Sequence, residues 1–104
     1  MEILGKRIER ILCFKEAVDM RNNFDGLTGI VKRELKEDPL SGTFFVFMNR
    51  RGDYLKGLYW DRTGYCLFSK RLVRGRFRLP SNERTQELED KIFLLLLDGL
   101  VIAK

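Results

Sequence analysis

The sequence predicts an α+β fold: an antiparallel β-sheet of about five strands, a meander, packed with two α-helices in a single domain over residues 1–104. Three observations predict it. From Phe44 to Pro80, apolar and β-prone runs alternate with short Gly-bearing turns. From Met20 to Leu35, apolar residues recur at the helical period. The run Ile92–Leu97, apolar all round, follows a polar link and stops before Gly99, a helix C-terminal signal. With 104 residues and 44% of them apolar, the chain can bury one modest core and not two.

Ile8–Phe14 reads as the first strand, with Ile11 and Cys13 alternating against Leu12 and Phe14. Asp19 is placed to N-cap a helix from Met20 to about Lys36, whose apolar face is Met20, Phe24, Leu27, Val31 and Leu35. Gly26 and Gly29 each cost about 1 kcal/mol relative to Ala inside a helix, so either another backbone packs closely there or something touches the helix. The helix ends before Pro39, and DPLSG (Asp38–Gly42) is a turn. FFVFMN (Phe44–Asn49) is apolar on both faces and belongs at the centre of the sheet. RRGD (Arg50–Asp53) turns the chain into Tyr54–Trp60, DRTG (Asp61–Gly64) turns it into Tyr65–Leu72, and Val73–Gly75 leads to an arginine strand stopped by Pro80. After Ser81–Arg84, a second helix is expected from Thr85 to Asp98. Being apolar all round, it is either buried on several sides or set at a subunit interface, which leaves a homodimer open.

Charge is unevenly distributed. The chain carries +5 overall, yet Arg50–Arg78 holds nine Lys/Arg against Asp53 and Asp61, so the remainder is net acidic. The same region, extended back to Phe44, contains nine of the aromatic residues. In a strand, Arg74, Arg76 and Arg78 share one face while Phe77 and Leu79 share the other. Such a face is either solvated or lies against an anion. Its concentration of cations, with aromatics between them, fits a nucleic-acid surface made of Arg50, Arg51, Lys56, Lys70, Arg71, Arg74, Arg76 and Arg78.

Chemistry has less support. Histidine is absent, which removes the commonest general base and metal ligand. Asp25, Asp53 and Asp61 are the acids a metal-dependent nuclease would need, but Asp53 and Asp61 fall in turns, where Asp is favoured for backbone reasons. No phosphate-loop motif is present, and no cofactor or metal is implied. The residues read as a non-enzyme. Cys13 and Cys66, each within an apolar run, read as buried free thiols. Met1–Arg7 lacks the apolar core of a secretory leader, and Ile92–Leu97 is too short to span a bilayer, so a cytoplasmic protein is expected.

Three stretches, DMRNNFDGL (Asp19–Leu27), DPLSGTFFVFMNRRGDYLKGLYWD (Asp38–Asp61) and GYCLFSKRLVRGRFRLP (Gly64–Pro80), together carry a resemblance. Over roughly residues 11–100 the chain resembles the small accessory protein encoded by the second open reading frame of the insertion sequence 66 family of bacterial mobile elements, the TnpB type unrelated to the RNA-guided nuclease. The resemblance implies a role in transposition beside a larger transposase that carries the strand-transfer chemistry. Its pattern falls on Asp19, Met20, Arg21, Phe24, Asp25 and Gly26, then on Asn49, Arg50, Arg51, Asp53, Lys56, Trp60 and Asp61. It continues through Gly64, Lys70, Arg71, Leu72, Gly75, Phe77 and Pro80. The chain departs from it at Leu79, where family members often have Trp, and at KEAV (Lys15–Val18), where they have a Gly-Pro-like turn. The expected function is an accessory transposition factor that contacts DNA or RNA through its basic surface. The alternative is a subunit that docks on the transposase without touching nucleic acid, and a metal-dependent nuclease is the third class.

Overall fold

The computed structural model describes residues 1–79 and 81–100. The middle strand is Phe44–Met48 (β4), all five of whose residues are buried, as a run apolar on both faces requires. On one side it pairs with Tyr54–Asp61 (β5), which pairs in turn with Gly64–Arg71 (β6). On the other side lie Ile11–Phe14 (β3) and then Thr85–Leu88 (β7), giving the order β6-β5-β4-β3-β7. Glu2–Ile3 (β1) and Lys6–Arg7 (β2) form a separate two-stranded sheet.

The sheet is mixed, which corrects the antiparallel meander. β3 and β4 run parallel, Ile11 opposite Phe44 and Phe14 opposite Phe47. Parallel neighbours need a long crossover rather than a tight turn, and the helical segment between them supplies it. That segment is Phe24–Ile30 (α1), continuing as a π-type turn over Val31–Leu35. It buries Leu27 and Val31 against Leu12, Phe14, Phe45, Phe47 and Leu58 on one sheet face. Asp90–Leu97 (α2) covers the other face, where Phe93 and Leu96 meet Ile11, Cys13, Phe44, Val46, Leu55 and Tyr59. Each large apolar side chain buried in these two layers is worth about 1.5–3 kcal/mol. Cys13, at 0% exposure, has its thiol pushed up to about 12 by burial, and Cys66 is half-buried; both are free.

Three further expectations are corrected. The first helix begins at Phe24, not Met20, and Asp19 does not cap it. Asp19 instead closes a turn, its Oδ1 accepting the Arg21 N–H (2.8 Å) and its carbonyl the Asn22 N–H (3.0 Å). The carbonyls of Met20 and Asn22 are held by Lys56 Nζ, so those peptides are withheld from the helix ladder. The atoms nearest a Cβ at Gly26 belong to the Asn22 side chain and those at Gly29 to the Arg33 side chain, not to another backbone. The second helix begins at Asp90, because Thr85–Leu88 extends as a strand against β3, Leu88 opposite Ile11 and Thr85 opposite Phe14. The short β3, buried along its whole length, would otherwise leave that edge unpaired.

The arginine strand is the third. β6 ends at Arg71 and no strand follows up to Leu79. The chain bends at Val73–Gly75, where Gly75 takes φ 85°, and returns to the β4–β5 turn. There Phe77 donates its N–H to the Gly52 carbonyl (2.7 Å) and sinks its ring into the α2-side core. Anchoring through one hydrogen bond and one buried ring leaves Arg74, Arg76 and Arg78 exposed without a ladder. Pro80, expected to stop that strand and part of the family pattern, lies outside the described residues.

Candidate nucleic-acid interface

The site is built on the turn between β4 and β5. Asn49 Oδ1 accepts the backbone N–H groups of Asp53 and Tyr54 (both 3.1 Å), and its Nδ2 donates to Asp53 Oδ1 (2.8 Å). Gly52, at φ 73°, adopts the left-handed backbone that a side chain would strain, and donates its N–H to the Asn49 carbonyl. The Asn49 amide bond is the chief reason the Asp53 carboxyl lies below its usual range, with the charges of Arg51 and Arg71 acting the same way. From the outside, Leu72 N–H bonds the Asp53 carbonyl (2.8 Å) and Phe77 N–H bonds that of Gly52. The turn is thus fixed from within and from both flanks, and it projects Arg50 and Arg51 into solvent.

Two depressions flank it. One, of about 590 Å³, is lined by Arg21, Arg50, Arg51 and Arg71 together with Ala17, Val18, Asp19, Met20, Asn49 and Tyr54. The other, of about 390 Å³, is lined by Lys15, Arg50 and Arg78 with Phe77, Leu79 and the turn residues. Arg50 borders both. Cations from four chain segments therefore meet at one end of the sheet: the β3–α1 loop, the β4–β5 turn, the end of β6 and the Phe77 segment. Some are already engaged. Arg21 Nε and Nη2 grip the Asp19 carboxylate (3.0 and 2.6 Å), and that guanidinium bond is the first cause holding the carboxyl down at about 2. Lys15 Nζ donates to the Ser81 carbonyl and to Gln86 Oε1. Arg71 lies over the Tyr54 ring, 4.9 Å from its centroid.

The residues expected to bind an anion divide. Arg50, Arg51, Arg71 and Arg78 line the two depressions, while Arg74 and Arg76 are exposed and line neither. Lys56 is not on the surface: it is 4% exposed, and its ammonium donates to the carbonyls of Met20 and Asn22 and to Asn23 Oδ1, all at 2.8 Å. Lys70 is half-buried and bonds the Leu97 carbonyl (2.6 Å) at the C-terminus of α2. Lys15 and Arg21, which line the depressions, were not among the cations the sequence pointed to. Arg21 had a signal, since it stands in the family pattern; Lys15 had none in its own neighbourhood.

The three acids are not brought together. Asp53 and Asp61 stand at opposite ends of the eight-residue β5, about 25 Å apart along it, and Asp25 is exposed on the first turn of α1. Among the described residues no group of three or more His, Cys, Asp or Glu is placed to hold a metal, and no helix is long and apolar enough to cross a membrane. Many of the family-pattern positions fall at the two ends of β5, while Phe24, Asp25 and Gly26 lie on α1 and Lys56 is buried beneath it. Asp19, Met20, Arg21, Asn49, Arg50, Arg51, Asp53 and Arg71 surround the basic end. Trp60, Asp61 and Gly64 sit at the far hairpin, where Trp60 meets Tyr65 edge-on at 5.1 Å.

These features define a small mixed-sheet α+β protein with a rigid, arginine-rich sheet end. The chain belongs to the family described as IS66 Orf2 like protein, whose match covers residues 9–104. Two curated relatives come from Sinorhizobium fredii. Uncharacterized protein y4hO is 51% identical over 65 residues, 62% of this chain and 56% of that protein. Uncharacterized protein y4jC is 36% identical over 92 residues, 88% of this chain and 79% of that protein. The first of these matches thus spans little more than half the relative's length. No solved structure matches.

Proposed function

We propose that this protein is a DNA-binding accessory factor of the element, working beside its transposase and gripping phosphates with the arginines of one sheet end. The observation that carries the reading is the Asn49–Asp53 turn, which holds Arg50 between two depressions already lined by Arg21, Arg51, Arg71 and Arg78. Binding by fluorescence anisotropy across a salt series tests the reading. On duplex DNA the slope of log K against log salt is about −0.9 per phosphate contacted, so Arg50→Gln with Arg51→Gln makes it shallower by about two. Arg74→Gln, outside both depressions, leaves the slope unchanged. A slope identical in the double variant and the wild-type chain refutes the reading.

A second reading, docking on the transposase or on a second copy, is favoured by Leu94, Leu95 and Leu100, which are 52, 39 and 49% exposed along and just after α2. A pulldown offering element-end DNA and transposase separately distinguishes the two. Retention by transposase alone, with none by DNA, replaces the first reading with the second.

A further inference from the structure

The depression beneath Arg50 and Arg51 has a composition that phosphate contacts leave unexplained. Duplex DNA presents a convex backbone, which a flat or gently grooved cationic surface serves. This site is an open depression of about 590 Å³. Beside its arginines it is lined by Ala17, which is exposed, and by the half-buried Met20 and Tyr54, apolar surface that a phosphate does not use. Its planar element is specific: the Arg71 guanidinium lies over the Tyr54 ring at 4.9 Å, and Arg71 is exposed, so the group is held from one side and open on the other. A guanidinium plane supported in this way is a stacking surface for a nucleobase. The nearby charges are unequally available. Arg21 is bound by Asp19, whereas Arg51 is only loosely placed against Asp53, at 3.9 Å, and Arg50 has no ion-pair partner among the described residues.

We infer that this depression takes one unpaired nucleotide of single-stranded DNA, its base stacked on the Arg71 guanidinium and its phosphate between Arg50 and Arg51. The inference rests on the DNA-binding reading above and narrows it to strands that are open or frayed. Apolar lining and platform then share one purpose, because a base in a duplex has its faces covered by its neighbours and cannot lie on the guanidinium without leaving its stack.

The test is a charge-preserving substitution. Anisotropy is measured for the purified chain with a labelled oligothymidylate of about ten nucleotides and with a duplex of the same length. The wild-type chain binds the single strand more tightly. Arg71→Lys keeps the charge and loses the plane, so it weakens single-strand binding by roughly 5- to 150-fold, the worth of one stacked base, and weakens duplex binding, which uses only the charge, by far less. Tyr54→Leu, which removes the support under the guanidinium, produces the same selective loss. Melting followed by Trp60 fluorescence verifies that both variants are folded. Equal effects on both substrates, or no effect on either, overturn the nucleotide site while leaving the phosphate surface in place. Failure of the wild-type chain to bind either substrate removes both readings.

Discussion

Replacing Lys56 by Met separates a structural lysine from a DNA-contacting one. Lys56 stands on β5 opposite Phe47 and Ser69, and its stem runs beneath the α1 face of the sheet. Its ammonium is saturated by three oxygens at 2.8 Å, two of them backbone carbonyls of the loop that leads into α1. Asn23, at the N-cap position, makes no side-chain capping bond because its oxygen is one of the three. Met fills the stem's volume but donates nothing, so three acceptors lose a charged donor. Hydrogen bonds to charged groups are worth about 1.5–3 kcal/mol each, but the loop is near the surface and can turn carbonyls to water, so the total is expected at about 3 kcal/mol. For a domain of this size that lowers the melting temperature by roughly 12–24 °C. Urea unfolding followed by Trp60 fluorescence measures the loss. The salt slope of DNA binding by the folded variant stays at the wild-type value, because the ammonium faces protein. A loss below about 0.5 kcal/mol, the ordinary range of a surface substitution, or a slope shallower by about one, would refute the cage and return Lys56 to the surface.

Gly57→Ala should destabilise the fold by about 1–3 kcal/mol, since a Cβ there overlaps the Phe44 ring, itself pinned by Tyr59 and Phe93 at 5.5 and 5.4 Å. Gly64→Ala, with open space around it and no positive φ, should be neutral or slightly stabilising, and thermal melts of the pair in which both behave alike would contradict the packing argument. The Asp19 carboxyl, at about 2, lies below its unfolded value near 4, so its contribution is complete above about 4 and is lost as pH falls toward 2. In Arg21→Gln the Asp19 midpoint should climb back toward 4; a carboxyl carbon titration that stays near 2 would show that the guanidinium is not the cause.

Strand and helix content was largely legible because each run has one dominant period. FFVFM, apolar at every position, announced a strand covered on both faces, and it occupies the middle of the sheet. Topology was less legible. A strand, a helix and a strand in succession is the pattern of a parallel crossover, yet the regular hairpins after Phe44 drew the whole sheet toward a meander. Thr85–Leu88 carries no strong strand signal of its own; it extends because β3 needs an outer neighbour, a requirement visible only once β3 is seen to be buried throughout. The helix start was misplaced for a comparable reason. Asp19 has the right residue type for a cap, but the buried Lys56, more than thirty residues later in the chain, takes the carbonyls that a helix from Met20 would have used.

The basic surface shows how far charge counting reaches and where it stops. Net charge along the chain singles out the Arg50–Arg78 region, but the alternation of Arg74, Arg76 and Arg78 suggests a strand face, whereas the residue that organises the segment is Phe77. Burial of its ring and its bond to Gly52 draw the Lys70–Leu79 stretch back to the β4–β5 turn, and that return sets Arg78 beside Arg50. The same turn receives Arg21 from the β3–α1 loop and Arg71 from the end of β6. Residues 50 and 51 are the sole adjacent pair among these cations; the others arrive from about twenty to thirty residues away in either direction. A sequence window reports how many charges a segment carries, whereas the site depends on which loops end at the same edge of the sheet. That edge is defined by Asn49, whose side chain makes three of the bonds that fix the turn. Asn49 carries no charge, which is why counting cations could not give it weight, and the turn it holds is the one that carries Arg50 and Arg51.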